Sequence, residues 1–444
     1  YTRQIGNHNF TVMASHESQE SRWQNISAAR SGFLTNDVFD LNAGAQSSAT
    51  NGGGSGPWAM ESYLGRLSYN YDNRYLLTGT YRRDGSSNFG AENRWGAFPS
   101  VSAAWRISQE KFFEVPFISE LKLRFETGLT GNQGGGTGIF SPLNSGTSDV
   151  GSGFLPARYG NPGIQWEETK TDNVGLNVGL LNNRISFEFD YYVKNTSNLL
   201  MENPLPFYMG TLGQGAVSNP RVNIGELRTK GWSFSINTVN INNKDFRWES
   251  NLNLSHFDTE ILRFYNDAAV VDRISTWYDN WSQTWTQRAA VGLTPWLFRG
   301  YIFEGLFQSE EEINNSAVRV DGNGDRYPTS PTGVWIGDAK YRDINGDGKI
   351  TADDETFIGN PWPKIFGGFT NNFSYKGFEL SVLITGTFGN DIYNMVSMVN
   401  SKMGRFYTSR NVMKDAMNYA RLDDQGGKVV ILNPGTNVPR ITGN

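Results

Sequence analysis

From Asp343 to Asp354 the chain reads Asp-Ile-Asn-Gly-Asp-Gly-Lys-Ile-Thr-Ala-Asp-Asp. That order matches a twelve-residue calcium loop, in which oxygen ligands recur at alternate positions, a Gly allows the sharp turn and an acid closes the shell. Asp343, Asn345 and Asp347 supply side-chain oxygens in this scheme. Lys349 offers its backbone carbonyl, Thr351 acts through water, and Asp354 closes the loop. The expected cofactor is therefore a structural calcium ion, bracing a long loop without catalysing. Two features depart from a helix–loop–helix site: the closing acid is Asp, one methylene shorter than Glu, and no helical pattern precedes the loop. The competing reading is an Asx-rich turn that holds no metal. A weaker echo, Asp321-Gly322-Asn323-Gly324-Asp325, lacks the sixth-position Gly and a closing acid and reads as loop.

Trp277, Trp281 and Trp285 stand four residues apart. On a helix they share one face, where they could stack on a substrate or pack the helix onto its neighbours. Catalytic chemistry finds little support. The three histidines, His8, His16 and His256, fall in strand-like segments, and no Ser sits in a nucleophile elbow. Glu167-Glu168 would point to opposite faces of a strand, and Glu310-Glu311-Glu312 reads as a solvated acidic loop. Gly134-Gly135-Gly136 precedes no helical pattern and so makes a poor phosphate cradle. The expectation is a protein that is not an enzyme.

What must position these residues is a succession of alternating strands. Ile185, Phe187, Phe189, Tyr191 and Val193 point one way, and Ser186, Glu188, Asp190 and Tyr192 the other. Similar alternation marks 4–20, 61–71, 75–84, 96–107, 120–131, 168–181, 226–241, 245–258, 364–376 and 378–389. Many of these have the roughly 9–11 residues a tilted strand needs to cross a bilayer. Such sheets occur as soluble sandwiches or as membrane barrels with an apolar outside and a wet lumen. Aromatic residues make up 14% of the 444-residue chain, a loading that suits the girdles of a membrane barrel. No apolar run is long enough for a transmembrane helix. The formal charge of −5, with Lys and Arg scattered, argues against nucleic acid. With no Cys, disulfides and thiolate chemistry are excluded.

Loop length is segregated. Asp72-Asn73-Arg74, Asn182-Asn183-Arg184, Asn242-Asn243-Lys244 and Tyr375-Lys376-Gly377 are tight connections, whereas most others are long. Short turns on one side and long loops on the other are the pattern of outer-membrane barrels, whose short turns are periplasmic. Strand parity then makes 259–363 and 390–444 extracellular excursions. Pro295–Phe307 lies inside the first despite its strand-like pattern, and Met395, Met398 and Met403 suggest a helix in the second. The expected fold is all-β, a transmembrane antiparallel β-barrel with long extracellular loops. The alternative is a secreted or surface calcium-dependent glycan-binding β-rich adhesin.

Several stretches resemble the SusC/RagA family of TonB-dependent outer-membrane transporters: Arg74–Ser87, Phe98–Arg106, Thr130–Gln133, Gly160-Asn161-Pro162 leading to Trp166-Glu167, and Asn223–Glu226. The calcium-like loop through Ile358-Gly359, with Gly367-Gly368 after it, also fits. The likeness runs collinearly over essentially the whole chain. It implies part of a 22-stranded plugged barrel in the bacterial outer membrane, with the plug domain and closing C-terminal strands lying outside this sequence. It also implies active, TonB-driven import of oligosaccharides or peptides, with a SusD-like surface lipoprotein as partner. A partial barrel would leave strand edges unpaired in lipid, so the stretch is expected to work as a C-terminal-half barrel fragment of something larger.

Overall fold

A computed structural model of the protein describes residues 1–134, 138–148, 151–210, 216–264, 270–274, 285–401 and 411–441. The chain divides into two compact units: Tyr1–Asp267 with Gly367–Thr385, and Ala268–Phe366 with Gly386–Asn444.

The first unit is built on a twelve-stranded sheet in which each strand is bonded to its neighbours in sequence order. Its strands are β1 (Thr2–Ile5), β2 (His8–Ala29), β3 (Thr50–Tyr71), β4 (Tyr75–Ser86), β5 (Trp95–Arg106) and β6 (Ile118–Asn132). They continue with β7 (Glu167–Leu180), β8 (Ile185–Glu202), β9 (Arg221–Asn242), β10 (Phe246–Arg263), β11 (Ile365–Tyr375) and β12 (Phe378–Phe388). Among the described residues β1 and β12 do not pair with each other. The pairings from β1 through β10 are antiparallel.

Alternation survives folding. On β5, Ala97, Pro99, Val101, Ala103 and Trp105 are all exposed, while Gly96 and Phe98 are buried and Ser100, Ser102 and Ala104 half-buried. Register aligns Leu77, Ala103 and Phe125 across β4, β5 and β6, so one face presents a continuous apolar wall. Leu67, Leu77, Val101, Leu123, Phe125 and Val174 are exposed on that face, an arrangement water would penalise and lipid would not. The opposite face carries Arg66, Thr80, Arg82, Arg124, Asp190 and their partners.

Turn chemistry explains how consecutive strands join. Asp72 and Asn73 adopt φ of 52° and 54°, and Asn182 and Asn183 adopt 56° and 61°. Asn and Asp tolerate this left-handed region better than other side chains. Residues 6–7, 72–74, 107–117, 181–184, 243–245 and 376–377 connect strands at one end of the sheet; 30–49, 87–94, 133–166, 203–220 and 264–364 connect them at the other. One expectation needs correcting at the start of the chain. The strand expected over 4–20 is two strands, because Gly6, with φ +58°, and Asn7 form a hairpin turn between Ile5 and His8.

The second unit has a conventional core of Phe307, Ile313, Val318, Val334 and Ile336, against which Tyr327, Trp335, Leu422, Val429 and Ile431 pack. Leu297–Gly300 and Phe303–Leu306 are strands, but they pair with Trp285–Ala290, Thr356–Gly359 and Ala339–Tyr341 and not with the twelve-stranded sheet. The acidic run is helical, contrary to the loop expected: Glu310–Asn314 forms a short helix capped by Ser309. Three carboxylates in the first turn are favourable there because the helix N-terminus carries partial positive charge.

Candidate functional site

Two places carry concentrated polar chemistry, one on the polar face of the sheet and one in the second unit.

On the sheet, Arg124, Gly175 and Asp190 lie in one row across β6, β7 and β8. Glycine in the middle lets Arg124 reach across β7: a Cβ on Gly175 would stand 2.5 Å from Asp190 Oδ1 and 2.7 Å from Arg124 Nη2. Arg124 Nη2 donates to both oxygens of Asp190 at 2.9 Å and to Glu188 at 2.5 Å. Its Nη1 reaches Glu126 at 3.3 Å and its Nε donates to Asn177 at 2.7 Å. Asn173 completes the set by donating to Asp190 at 2.9 Å. The result is a charged belt that stitches three strands on a water-facing wall. Strand alternation places each residue on that face, but only the cross-strand register brings them together.

Farther along the same face, Gln133 Oε1 accepts from Trp58 Nε1 at 3.1 Å, Ser86 Oγ at 2.6 Å and Asn88 Nδ2 at 3.2 Å. Beside it Phe89, Phe98, Ile164 and Trp166 form a small buried cluster. A cavity of about 560 Å³ opens here, with Arg66, Arg82, Asp84 and Ser100 on its polar side and Phe98 and Trp166 on its apolar side. Arg82 Nε is held by Asp84 at 2.8 Å. Gln133 and Trp166 belong to the stretches that carry the family resemblance, and the geometry shows their work as structural.

In the second unit the Asp343–Asp354 segment is a succession of interlocking Asx turns. Asp343 accepts from Gly346 N at 2.6 Å and Gly348 N at 2.8 Å. Asn345 Oδ1 accepts from Asp347 N at 3.0 Å, and Asp347 Oδ1 from Lys349 N at 2.8 Å. Thr351 caps a 3₁₀ turn over Ala352–Asp354. Asp354 is fully buried and accepts from Ile344 N and Thr351 N, each at 2.8 Å. Burial pushes the Asp354 carboxyl up. The N–H groups of Thr351, Ile344 and Asn345, with the Asp343 side chain, outweigh it and hold the group below its usual range. Gly346 and Gly348 both adopt φ of 78°, which is why glycine is needed at these turns.

The weaker echo stands beside this loop. Asp321 accepts from Asn323 N at 2.9 Å and Asp325 N at 3.0 Å. Lys349 Nζ donates to Gly324 O at 2.9 Å, and Val318–Arg319 pairs in parallel with Lys349–Ile350. The two Asp-Gly turns thus brace each other.

A metal-ligand set can be tested against this geometry. Oxygen donors alone, several of them carboxylates, match a hard cation such as calcium. Yet each of these carboxylates already accepts backbone N–H bonds. Among the described residues no group of three or more His, Cys, Asp or Glu side chains converges at metal-binding distance. A cation here would therefore depend on Asn345 and on the Lys349 carbonyl as much as on acids.

Of the tryptophans expected on one helical face, Trp277 and Trp281 lie outside the described residues. Trp285 opens the strand Trp285–Ala290, paired to Val270–Ile274. A helix running through Trp285 is thereby excluded, since ladder bonding overrides the four-residue spacing. The histidines are dispersed: His8 meets the Tyr69 hydroxyl at 2.9 Å, His16 meets Glu61 at 3.2 Å and His256 meets Asp258 at 2.9 Å. Glu167 is occupied structurally, accepting from Asn132 at 2.7 Å and Leu200 N at 2.8 Å.

Comparison with known proteins agrees with this architecture. The family described as TonB dependent receptor-like, beta-barrel, matches residues 2–356. TonB-dependent receptor P26 of Formosa agariphila is 32% identical across 100% of this chain, which covers 42% of that protein. TonB-dependent receptor SusC of Bacteroides thetaiotaomicron is 31% identical across 75% of this chain and 32% of its own length. A structure of the RagAB peptide transporter superposes with a TM-score of 0.79 at 23% identity, covering 100% of this chain and 44% of that one. The chain thus spans less than half the length of the relatives it matches. The apolar wall, the polar face and the segregated loops are those of an outer-membrane protein, and the chain belongs to the β-barrel family of TonB-dependent receptors, a family without enzymatic activity.

Proposed function

We propose that this chain forms part of a transporter that imports oligosaccharides or peptides across the bacterial outer membrane, driven by TonB and working with a SusD-like surface lipoprotein. The observation that carries this reading is the two-sided sheet: an exposed apolar wall behind a continuous charged and amide-rich face, as a lipid-embedded wall around a wet passage requires. Its short turns face the periplasm and its long loops, including 264–364, face outward, as in other outer-membrane barrels. Relatives named TonB-dependent receptors support the dependence on TonB, and the likeness to a structure of a peptide transporter supports the peptide class. The test is uptake by cells with and without the gene, using labelled oligosaccharides and peptides too large for porins. Uptake that needs the gene and stops when TonB is deleted is expected. Uptake indifferent to TonB would overturn the reading.

In the same reading the Asp343–Asp354 loop holds a structural calcium ion outside the cell, through Asp343, Asn345, Asp347, the Lys349 carbonyl, Thr351 by way of water, and Asp354. The ion would contribute charge neutralisation and loop bracing, not chemistry. Asp347→Ala tests it without touching the core: calcium should protect 259–363 from protease in the parent and fail to do so in the variant. Equal protection of both would reject the site.

A further inference from the structure

The apolar wall is not uniform. On β5 the exposed Ala103 is short, while β4 and β6 on either side of it raise Leu77 and Phe125, and Leu123 stands beside Trp105 one step nearer the turns. A groove of about 580 Å³ results, lined by Tyr75, Leu77, Ala103, Trp105, Leu123 and Phe125.

The short-turn end of the groove is closed by a polar box. Glu110 accepts from the Tyr75 hydroxyl at 2.6 Å, from Trp105 Nε1 at 3.0 Å and from Arg74 Nη1 at 3.3 Å. Arg74 Nε and Nη2 donate in turn to one oxygen of Asp72, at 3.0 and 2.5 Å. Tyr75 and Trp105 are thereby pinned at the height where aromatic side chains meet the head-group layer. The Glu110 side chain is 9% exposed, whereas Arg74 and Asp72 remain 20% and 40% exposed. A guanidinium carries more N–H donors than these bonds use. Just beyond the box, Phe112 and Phe117 in the 107–117 connection are 70% and 58% exposed.

We propose that this groove is a specific phospholipid site, holding one acyl chain of a lipid whose head group carries a phosphate and a primary ammonium. The phosphate meets Arg74, the ammonium meets the second oxygen of Asp72, and the chain starts over Ala103 between Leu77, Leu123 and Phe125. Complementary charges on the box select a zwitterion that can donate hydrogen bonds. The groove is continuous with the wall already assigned to lipid. Its occupant is a phospholipid of the periplasmic leaflet because the box sits at the short-turn end, so the inference rests on the orientation proposed above.

The experiment is native mass spectrometry of the protein purified in mild detergent from its own outer membrane, titrated with phosphatidylethanolamine, phosphatidylcholine and phosphatidylglycerol. Phosphatidylethanolamine should be retained roughly fivefold better than the other two. Asp72→Asn keeps a residue that tolerates the left-handed turn and should remove that preference. Ala103→Phe fills the groove and should release all three lipids. Both variants are checked for the heat-modifiable gel mobility of a folded barrel. Equal retention of the three lipids by the parent, or unchanged binding in folded Ala103→Phe, would overturn the site. Retention of lipopolysaccharide in their place would instead overturn the orientation, leaving the groove but reversing its leaflet.

Discussion

The twelve-stranded wall and the second unit are held together by different physics. In the wall, β2 and β3 alone align from His8↔Tyr71 to Ala29↔Thr50 without a register shift, yet neither face of those strands buries a continuous core. Backbone ladders and cross-strand pairs carry it, and the apolar face is satisfied only by lipid. In the second unit Phe307, Ile313, Val318, Val334 and Ile336 are at most 4% exposed, and the strands there are two to six residues long. That unit is a small hydrophobic core wrapped in turns. A substitution that is silent in one region should be costly in the other.

The largest effect should come from the core. Phe307→Ala removes a ring that is 2% exposed at the centre of the cluster, and should destabilise that unit by about 3–5 kcal/mol. Limited proteolysis should then cut within 300–340 while the heat-modifiable mobility of the barrel persists. Simultaneous loss of both would mean the two regions are one cooperative unit. Next, Val101→Arg, four residues in from Trp105, places a charge on the apolar wall toward the bilayer centre and should cost about 2–4 kcal/mol in lipid vesicles. Its neighbour Ser102→Arg, on the polar face, should cost within about 0.5 kcal/mol. Urea unfolding in vesicles compares them, and equal costs would sink the assignment of faces.

Sequence patterning revealed the wall better than the second unit, for a physical reason. Alternation is a local property, so β3 to β12 were legible wherever apolar and polar residues took turns. The Gly6-Asn7 hairpin was hidden because β1, at four residues, is too short for an alternation of its own to stand out from β2. Glu310–Glu312 looked like solvated loop because the acidic run was read without Ser309, whose capping starts the helix. The tryptophan spacing suggested helix, whereas pairing between Trp285–Ala290 and Val270–Ile274, a non-local property, decided for strand. In the candidate site the Asp343–Asp354 ligand order was visible, but the backbone N–H groups that occupy its carboxylates were not. The Arg124 belt could not be seen at all: its members come from β6, β7 and β8, separated by up to 66 residues in sequence.

That belt provides the third test. Arg124 and Asp190 are 16% and 17% exposed. Arg124→Gln keeps a polar group of similar reach but removes the charge that gathers Asp190, Glu188 and Glu126. Losing hydrogen bonds to charged groups should cost about 1.5–3 kcal/mol. Gly175→Ala should act in the same direction by pushing Arg124 and Asp190 apart. Together the two changes should cost less than their sum, because both break the same contact. Full additivity in a double-mutant cycle would show that Gly175 is not there to let Arg124 across.

The smallest effect, and the one most confined to the second unit, is the response to acid. Asp354 is held below the usual carboxylate range by backbone N–H groups that favour its ionised form. A group whose folded pKa is depressed adds stability above its unfolded pKa, near 3.9 for Asp, and that stability is lost as pH falls through the lower folded value. The loop should therefore keep its protease protection at pH 5 and loosen progressively below about pH 4. Asp354→Asn mimics the protonated carboxyl, replacing one acceptor oxygen with a donor where Ile344 N or Thr351 N needs an acceptor. Its protection should be reduced already at pH 7 and should change less on acidification than the parent's. A variant that matches the parent at pH 7 and loosens alongside it below pH 4 would show that other carboxylates, and not Asp354, set the acid limit of this loop.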